Sequence, residues 1–469
     1  MITVIARHEF TATLRDGRFR LCAALVGLLL AAALLAGWSF QRDLAARRAA
    51  AVRHEHAHWI GQPDKNPHSA AHYGLHVFKP RLSPALLDPG IEPYVGSVVW
   101  LEAHNQNDFT GKPAEDATAA QRFGELTAVL VLQLLLPLLI IVNCFGTVAG
   151  ERERGTLRQV FALGVSPARW LLGKMFGQAA ALTLAVVPAV VVGSLAVWLA
   201  REGTLTSGTW LRLVLFAAVH LVYLAVFLAG SLAVSALART SRASLVILLG
   251  LWTLNGLLLP RAAIELAARL HPLTSPVAVR EELRMRFGAP DFHLAEQRRL
   301  EAELMGRFGV SRPEDLPVNS RGLFLQAGEE AGNRVFDDVF GRLFDRIEAQ
   351  NDLVRSLAWI APFQAVRQVS QSLAGTDFAH HRDFIGAAEQ HRRLLQRELN
   401  GDLIFNGPRD GSTYLADAGL WAKMPPFVYH PPSPSAALRA QSVSLLALAL
   451  WLMLAPLLLV RAARTLNPL

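Results

Sequence analysis

Six apolar runs, two long polar insertions and a few short charged connections set the pattern of this chain. The runs occupy 21–40, 126–148, 179–200, 211–237, 243–260 and 442–460. A helix needs roughly 20 mostly apolar residues to cross the hydrocarbon of a bilayer, and each run reaches or nearly reaches that length. Only a helix or a closed barrel satisfies its backbone in lipid, and runs of this length are helices. The pattern therefore predicts an all-α polytopic membrane protein with a six-helix transmembrane bundle. Ahead of the first run, residues 1–18 read as an amphipathic interfacial helix. Ile2, Ala6, Phe10 and Leu14 share one side of it, and Arg7, Thr11, Arg15 and Arg18 the other.

The expected plan is a first span over 19–40, an outer domain over 41–125 and a second span over 126–148. A charged segment follows over 149–174, then three spans within 175–260, a second outer domain over 261–441, a last span over 442–460 and a tail over 461–469. Arg15, Arg18 and Arg20 before the first run, with alanines after it, imitate a signal peptide. The apolar stretch is longer than a signal's, so it reads as a retained anchor. Lys and Arg in short connections resist translocation and so fix orientation. They gather before the first span, between the second and third (Arg152, Arg154, Arg158, Arg169, Lys174), between the fourth and fifth (Arg239, Arg242) and after the sixth (Arg461, Arg464). The third-to-fourth connection carries only Arg201 and, at its end, Arg212. Both termini are expected in the cytoplasm of a bacterium whose inner membrane holds the bundle, and both insertions are expected outside, both largely helical.

Composition agrees. The chain is 52% hydrophobic and 18% charged over 469 residues, a balance shifted away from soluble domains. Its 46 basic residues are dispersed and flank apolar runs, which argues for topology signals and against a nucleic-acid partner. Cys22 and Cys144 both lie in apolar runs and offer no disulfide framework. Pro137, Pro188 and Pro456 remove backbone donors inside spans and are expected to bend them. Gln133, Asn143, Gln178, His220 and Asn255 are the polar residues at depth. Interhelical hydrogen bonding is their first reading, and lining a translocation path the second.

The connection after the second span reads Gly150-Glu151-Arg152-Glu153-Arg154-Gly155-Thr156-Leu157, then Leu163-Gly164-Val165-Ser166-Pro167 and Leu172-Gly173-Lys174. A short helix of alternating charge, rigidly continuous with a span, can pass on a push from a moving partner. This segment resembles the first intracellular loop of ABC-2 type permeases. With the N-terminal helix and six spans, the resemblance covers roughly 200 residues of the ABC-2 plan. It implies an exporter subunit, not itself an enzyme, in which Glu151, Arg152, Glu153, Arg154, Gly155, Thr156 and Leu157 contact a separate ATPase subunit. That partner would bind ATP and magnesium. A second permease copy or a homologous permease would complete the pathway. The long insertions depart from simple members and resemble the subgroup with large extracytoplasmic insertions of unassigned function. The sequence contains no P-loop: Gly173-Lys174 is followed by Met175, and Ala168 stands where the first glycine would be.

In the first insertion, six of the 15 histidines fall between 54 and 76: His54, His56, His58, His68, His72 and His76. His54 and His58 are one helical turn apart and His72 and His76 repeat the spacing, so His54, His58, His68, His72 and His76 are candidate zinc or copper ligands. Hydrogen bonding within a turn is the competing reading. His54-Glu55-His56-Ala57-His58 also fits H-E-x-x-H, the pattern of a membrane-tethered zinc hydrolase with Glu55 as base; Glu92 and Glu102 are its candidate third ligands. In the second insertion Phe336, Phe340, Leu343 and Ile347 form one helical stripe. Phe384, Ala388, His391, Leu395 and Leu399 form another, both as packing faces. The Pro-rich stretch from Met424 to Pro434 reads as an extended return to the last span. A further reading is a subunit that moves no cargo and transmits force to a periplasmic protein.

Overall fold

The computed structural model describes residues 1–116, 126–199, 207–289, 292–409 and 412–466; Arg201 and residues 117–125 and 467–469 lie outside them. The N-terminal helix α1 (Ile2–Arg15) is followed by α2 (Gly17–Ile60), which begins where the Asp16 carboxylate accepts the Arg18 amide. Nothing from Gln41 to Ile60 breaks a helix, and the stretch is rich in Ala and Arg, so α2 runs on past its apolar part until Gly61 ends it. Its 44 residues measure about 66 Å, roughly twice the hydrocarbon thickness. The remaining apolar helices are α4 (Ala128–Arg154), α6 (Pro167–Leu199), α7 (Ser207–Leu237), α8 (Ser241–Leu270) and α15 (Ser442–Thr465), with the short α5 (Thr156–Ala162) between α4 and α6. With α2 they make six helices long and apolar enough to span: the chain is an all-α polytopic membrane protein.

Two spans widen locally where a proline interrupts them. Pro137 cannot donate to the carbonyl four residues before it, that of Gln133, and α4 takes a π turn over Val131–Leu135. The freed carbonyls are used between helices: the Tyr223 hydroxyl donates to Gln133 O (2.8 Å) and the Trp252 indole to Leu134 O (3.1 Å). Before Pro260, α8 takes its own π turn over Leu254–Leu258. The two irregular turns touch, because a Cβ on Gly256 would lie 2.8 Å from Leu134.

The second insertion contributes α9 (Pro276–Phe287), α10 (Phe292–Phe308), α11 (Ser320–Ser356), α12 (Pro362–Ala374) and α13 (Phe378–Asn406), and α14 (Pro434–Ala440) precedes the last span. Both predicted stripes pack inward. Phe384, Ala388, His391, Leu395 and Leu399 are all buried, and Phe336, Phe340 and Leu343 stack against α9 with Val335 and Val339. One element was not expected: α12 leaves the insertion and enters the bundle. Phe363, Ala365, Val366, Val369 and Leu373 join Leu30, Leu34, Phe216, Val219, Tyr223, Ala447 and Leu448 in the largest apolar cluster. The Asn255 carboxamide accepts the Phe363 amide (3.2 Å) at its start, and the buried Arg212 guanidinium holds Ser372 O and Leu373 O (3.1 and 3.0 Å) at its end.

The first insertion supplies α3 (Pro67–Tyr73) and the only sheet among the described residues, an antiparallel pair β1 (Leu75–Phe78) and β2 (Val98–Leu101) with Leu75 opposite Leu101. This ribbon was not anticipated, and the insertion does not core itself. Trp59, Ala70, Ala71 and Ala103 pack on Leu399, Ala416 and Trp421, and Val77, Val99 and Leu101 pack on Phe384 and Ala388. The two insertions thus share a core, because so few apolar residues over 61–116 cannot bury each other.

Asp88 fastens this body to α12. It accepts from the Ser370 hydroxyl and the Gly90 amide, and its carbonyl accepts the Thr376 hydroxyl (3.0 Å). Burial pushes its carboxyl up to about 6. The unfolded chain releases this proton near 3.8, so folding loses stability as pH rises from about 4 to about 6, and the loss is complete above that. Asp88→Asn, which removes the charge and keeps an acceptor for Gly90, is therefore expected to raise the melting temperature at pH 8 and leave it nearly unchanged at pH 4. A lower melting temperature at pH 8 would refute this reading.

Candidate functional site

The charged segment after the second span folds as a junction of four helices and the connection between two of them. Gly155, at φ 77, ends α4 in the left-handed region that favours glycine, and α5 starts at once. Leu157 and Phe161 on α5 are buried against Trp170, so α5 lies along the protein with its other face free. Lys174 of α6 sits between two carboxylates: Glu9 Oε2 of α1 at 2.8 Å and Glu151 Oε1 of α4 at 3.3 Å. The side chains of Lys174 and Glu9 are each 9% exposed. The network continues inward, since Gln178 donates to Glu9 Oε1 (2.6 Å) and Asn143 donates to Gln178. A buried charge needs such complete partnering to be tolerated.

Helix α1 reaches this site by lying in a glycine groove of α6. A Cβ on Gly173 would stand 2.7 Å from Ile5, and one on Gly177 2.6 Å from Ala6 O and Glu9 Cβ. This changes the picture of a freely interfacial helix. Its residues nearest the protein centre are Glu9 and Thr13, and the exposed arginines Arg7 and Arg15 turn away.

Five of the predicted contact residues, Glu151, Arg152, Glu153, Thr156 and Leu157, make contacts within the chain, Glu153 while remaining exposed. Arg152 donates to Ala236 O (2.7 Å) and Ala238 O, satisfying carbonyls left open at the end of α7. Glu153 accepts the Ser241 amide (3.0 Å) and hydroxyl (2.7 Å), capping the start of α8. Thr156 donates to Glu151, and Leu157 is core. The exposed surface here is Glu153, Arg154, Arg158, Gln159, Ala162, Leu163, Gly164, Ser166, Ala168 and Arg169. Leu163, at 83% exposed, is the most exposed large apolar side chain among the described residues, held out by Gly164 at φ 80.

The polar residues at depth all have partners within the protein. Gln133 meets His220 (3.2 Å), His220 also meets Phe216 O (2.8 Å), and Asn255 holds α12.

The histidines of residues 54–76 divide into separate groups. His58 bonds Tyr73, and Glu55 is taken by the His76 amide (2.7 Å) and Nδ1 (3.1 Å), which turns it away from the H-E-x-x-H arrangement. His68 and His72 come together with a residue absent from that set, His104. His104 is salt-bridged to the buried Glu329 (2.7 Å). Burial raises the Glu329 carboxyl, but His104, with His68 and Arg392 near by, more than offsets this and holds the group below its ordinary value. Sequence reasoning also missed Glu9, Lys174 and Arg212 as structural ions. For Lys174 and Arg212 the one available signal was a basic residue beside an apolar run, which reads as topology, and Glu9 carried none.

Residues 278–430 match the family described as a domain of unknown function, DUF3526. The match runs from α9 through α13 into the Pro-rich return and includes α12. No curated protein matches the chain. The chain is thus a polytopic membrane protein whose helical body between the fifth and sixth spans resembles DUF3526.

Proposed function

We propose that the chain is the permease subunit of an ABC-2 type exporter of the bacterial inner membrane, driven by a separate ATP-hydrolysing subunit that docks on the face bearing α5. The supporting observation is mechanical. The exposed patch of Arg158, Leu163 and Arg169 sits between the end of α4 and the start of α6, which are tied to α1, α7 and α8 through Lys174, Arg152 and Glu153. A push on the patch would pass to α6 through the packing of Leu157 and Phe161 on Trp170. An exposed leucine with exposed arginines five residues before it and six after suits a partner groove that is apolar at its base and acidic at its rim. The partner holds ATP and magnesium, and a second permease copy or a homologous permease completes the pathway. Both chain ends and α5 then lie in the cytoplasm and both insertions in the periplasm.

A second reading, transmission of force to a periplasmic protein, draws on α12. This helix is held at both ends by spans and continues through Gly375 into α13 of the outer body, so motion of the bundle would be carried outward.

Leu163→Asp combined with Arg158→Glu is expected to abolish co-purification of nucleotide-hydrolysing activity with the detergent-solubilised complex, with the melting temperature of the permease unchanged. Retained ATPase in that variant would overturn the docking assignment. A cysteine at Leu163 should react with an impermeant maleimide only after the cytoplasmic side is opened. Labelling in intact cells would reverse the topology.

A further inference from the structure

His68 and His72 stand one turn apart on α3, a helix started by Pro67 and by the Asn66 carboxamide accepting the His68 amide (2.9 Å). His104 projects toward them from the turn after β2. It is the only non-glycine residue at positive φ (65°) among the described residues, a conformation accessible to His, Asn and Asp at modest cost. The three rings form a triangle with centroids 4.8, 4.9 and 5.0 Å apart, and one nitrogen of each lies within 4.8 Å of the others.

Two of the rings are held from behind. His68 Nδ1 lies 3.0 Å from the Asn400 carboxamide oxygen, and His104 Nδ1 lies 2.7 Å from Glu329 Oε1. Nδ1 of each ring is thus engaged behind it, and the two Nε2 atoms face each other at 3.2 Å, one donating to the other. Removal of that proton leaves two nitrogen lone pairs 3.2 Å apart, a spacing that suits a shared metal ion. Two imidazole nitrogens about 2.0–2.1 Å from a tetrahedral zinc lie roughly 3.3 Å apart. The orienting groups are themselves fixed: Glu329 is 2% exposed and accepts from Gln396 (2.9 Å), and Asn400 donates to Gln326 (3.1 Å). A ligating imidazole backed by a buried carboxylate is the usual second layer of a zinc or copper site.

We infer that His68, His72 and His104 bind a divalent transition metal, zinc above all, with Glu329 and Asn400 as positioning residues and water in the fourth position. The ligands come from the first insertion and the positioning residues from α11 and α13, within the DUF3526-like region, so the metal clamps one insertion to the other. This inference is independent of the transport reading.

The test uses the full chain in detergent, stripped with chelator and titrated with zinc chloride by calorimetry. Wild type is expected to bind one equivalent and to melt at a higher temperature when loaded. His72→Gln changes an exposed side chain and should leave the metal-free melting temperature unaltered. His104→Asn keeps a residue that tolerates the backbone. Each should lose the loaded-state gain and weaken binding by at least about tenfold, and Glu329→Gln should weaken it by about 10- to 100-fold. His54→Gln with His58→Gln should bind as wild type. Cobalt(II) should give a tetrahedral visible spectrum in wild type and lose it in His72→Gln. Wild-type affinity in His72→Gln and His104→Asn would overturn the assignment, as would binding that disappears only with His54 and His58. Should Glu329→Gln fail to fold, His72→Gln alone decides the matter.

Discussion

Lys174→Met is expected to destabilise the protein by about 3–5 kcal/mol, the range for removing one partner of a buried ion pair. The loss is not that of a single contact. The ammonium sits between Glu9 and Glu151 and 5.0 Å from the Trp170 ring. Without it the Glu9 carboxylate keeps only the Gln178 amide, in a site closed by the packing of α1 on Gly173 and Gly177. Methionine fills similar space, so the cost is electrostatic rather than a cavity. It follows that Glu9→Gln in the Lys174→Met background should recover much of the stability, because the uncompensated charge is gone. A double-mutant cycle read by thermal melting in detergent checks this. Strictly additive single and double variants would show that the network carries no coupling. If the proposed function holds, the same single variant lowers export and leaves the partner's basal ATP hydrolysis in place, since α5 and its exposed face are untouched.

Arg212→Leu is expected to cost about 3 kcal/mol or more, by orphaning carbonyls at the buried end of α12. The guanidinium donates to Ser372 O, Leu373 O and Pro432 O at once, which ties α7, α12 and the Pro-rich return together. Arg212→Lys should recover only part of this, because one ammonium does not reproduce a planar fork reaching three acceptors. Limited proteolysis offers a local readout. The 424–434 segment, docked through Phe427 and Tyr429 on Phe384, should become cleavable in Arg212→Leu before the bundle melts. Equal protection of wild type and variant would show that Arg212 does not hold the return in place.

The sequence by itself determined the six spans, the amphipathic N-terminus, the helical stripes of the second insertion and the extended return. Each of these rests on periodicity or length, and the bilayer leaves an apolar run of such length little choice but helix. The turn at Gly155, by contrast, appeared only in the structure, since the charged run reads as one short helix continuous with the span. Tertiary structure alone decided which charges face inward. Glu9, Arg152 and Lys174 look like surface or topology residues in a linear reading, and only the close approach of α1 to a glycine groove buries Glu9 and Lys174. It alone decided that α12 enters the bundle, because a helix with polar residues among its apolar ones is buried only where Asn255 and Arg212 satisfy its ends. It also decided which histidines meet, since His104 follows His72 by a ribbon whose return depends on α13. Local pattern fixes elements through backbone physics, whereas partner choice among charged and histidine side chains is settled by distances between segments far apart in the chain.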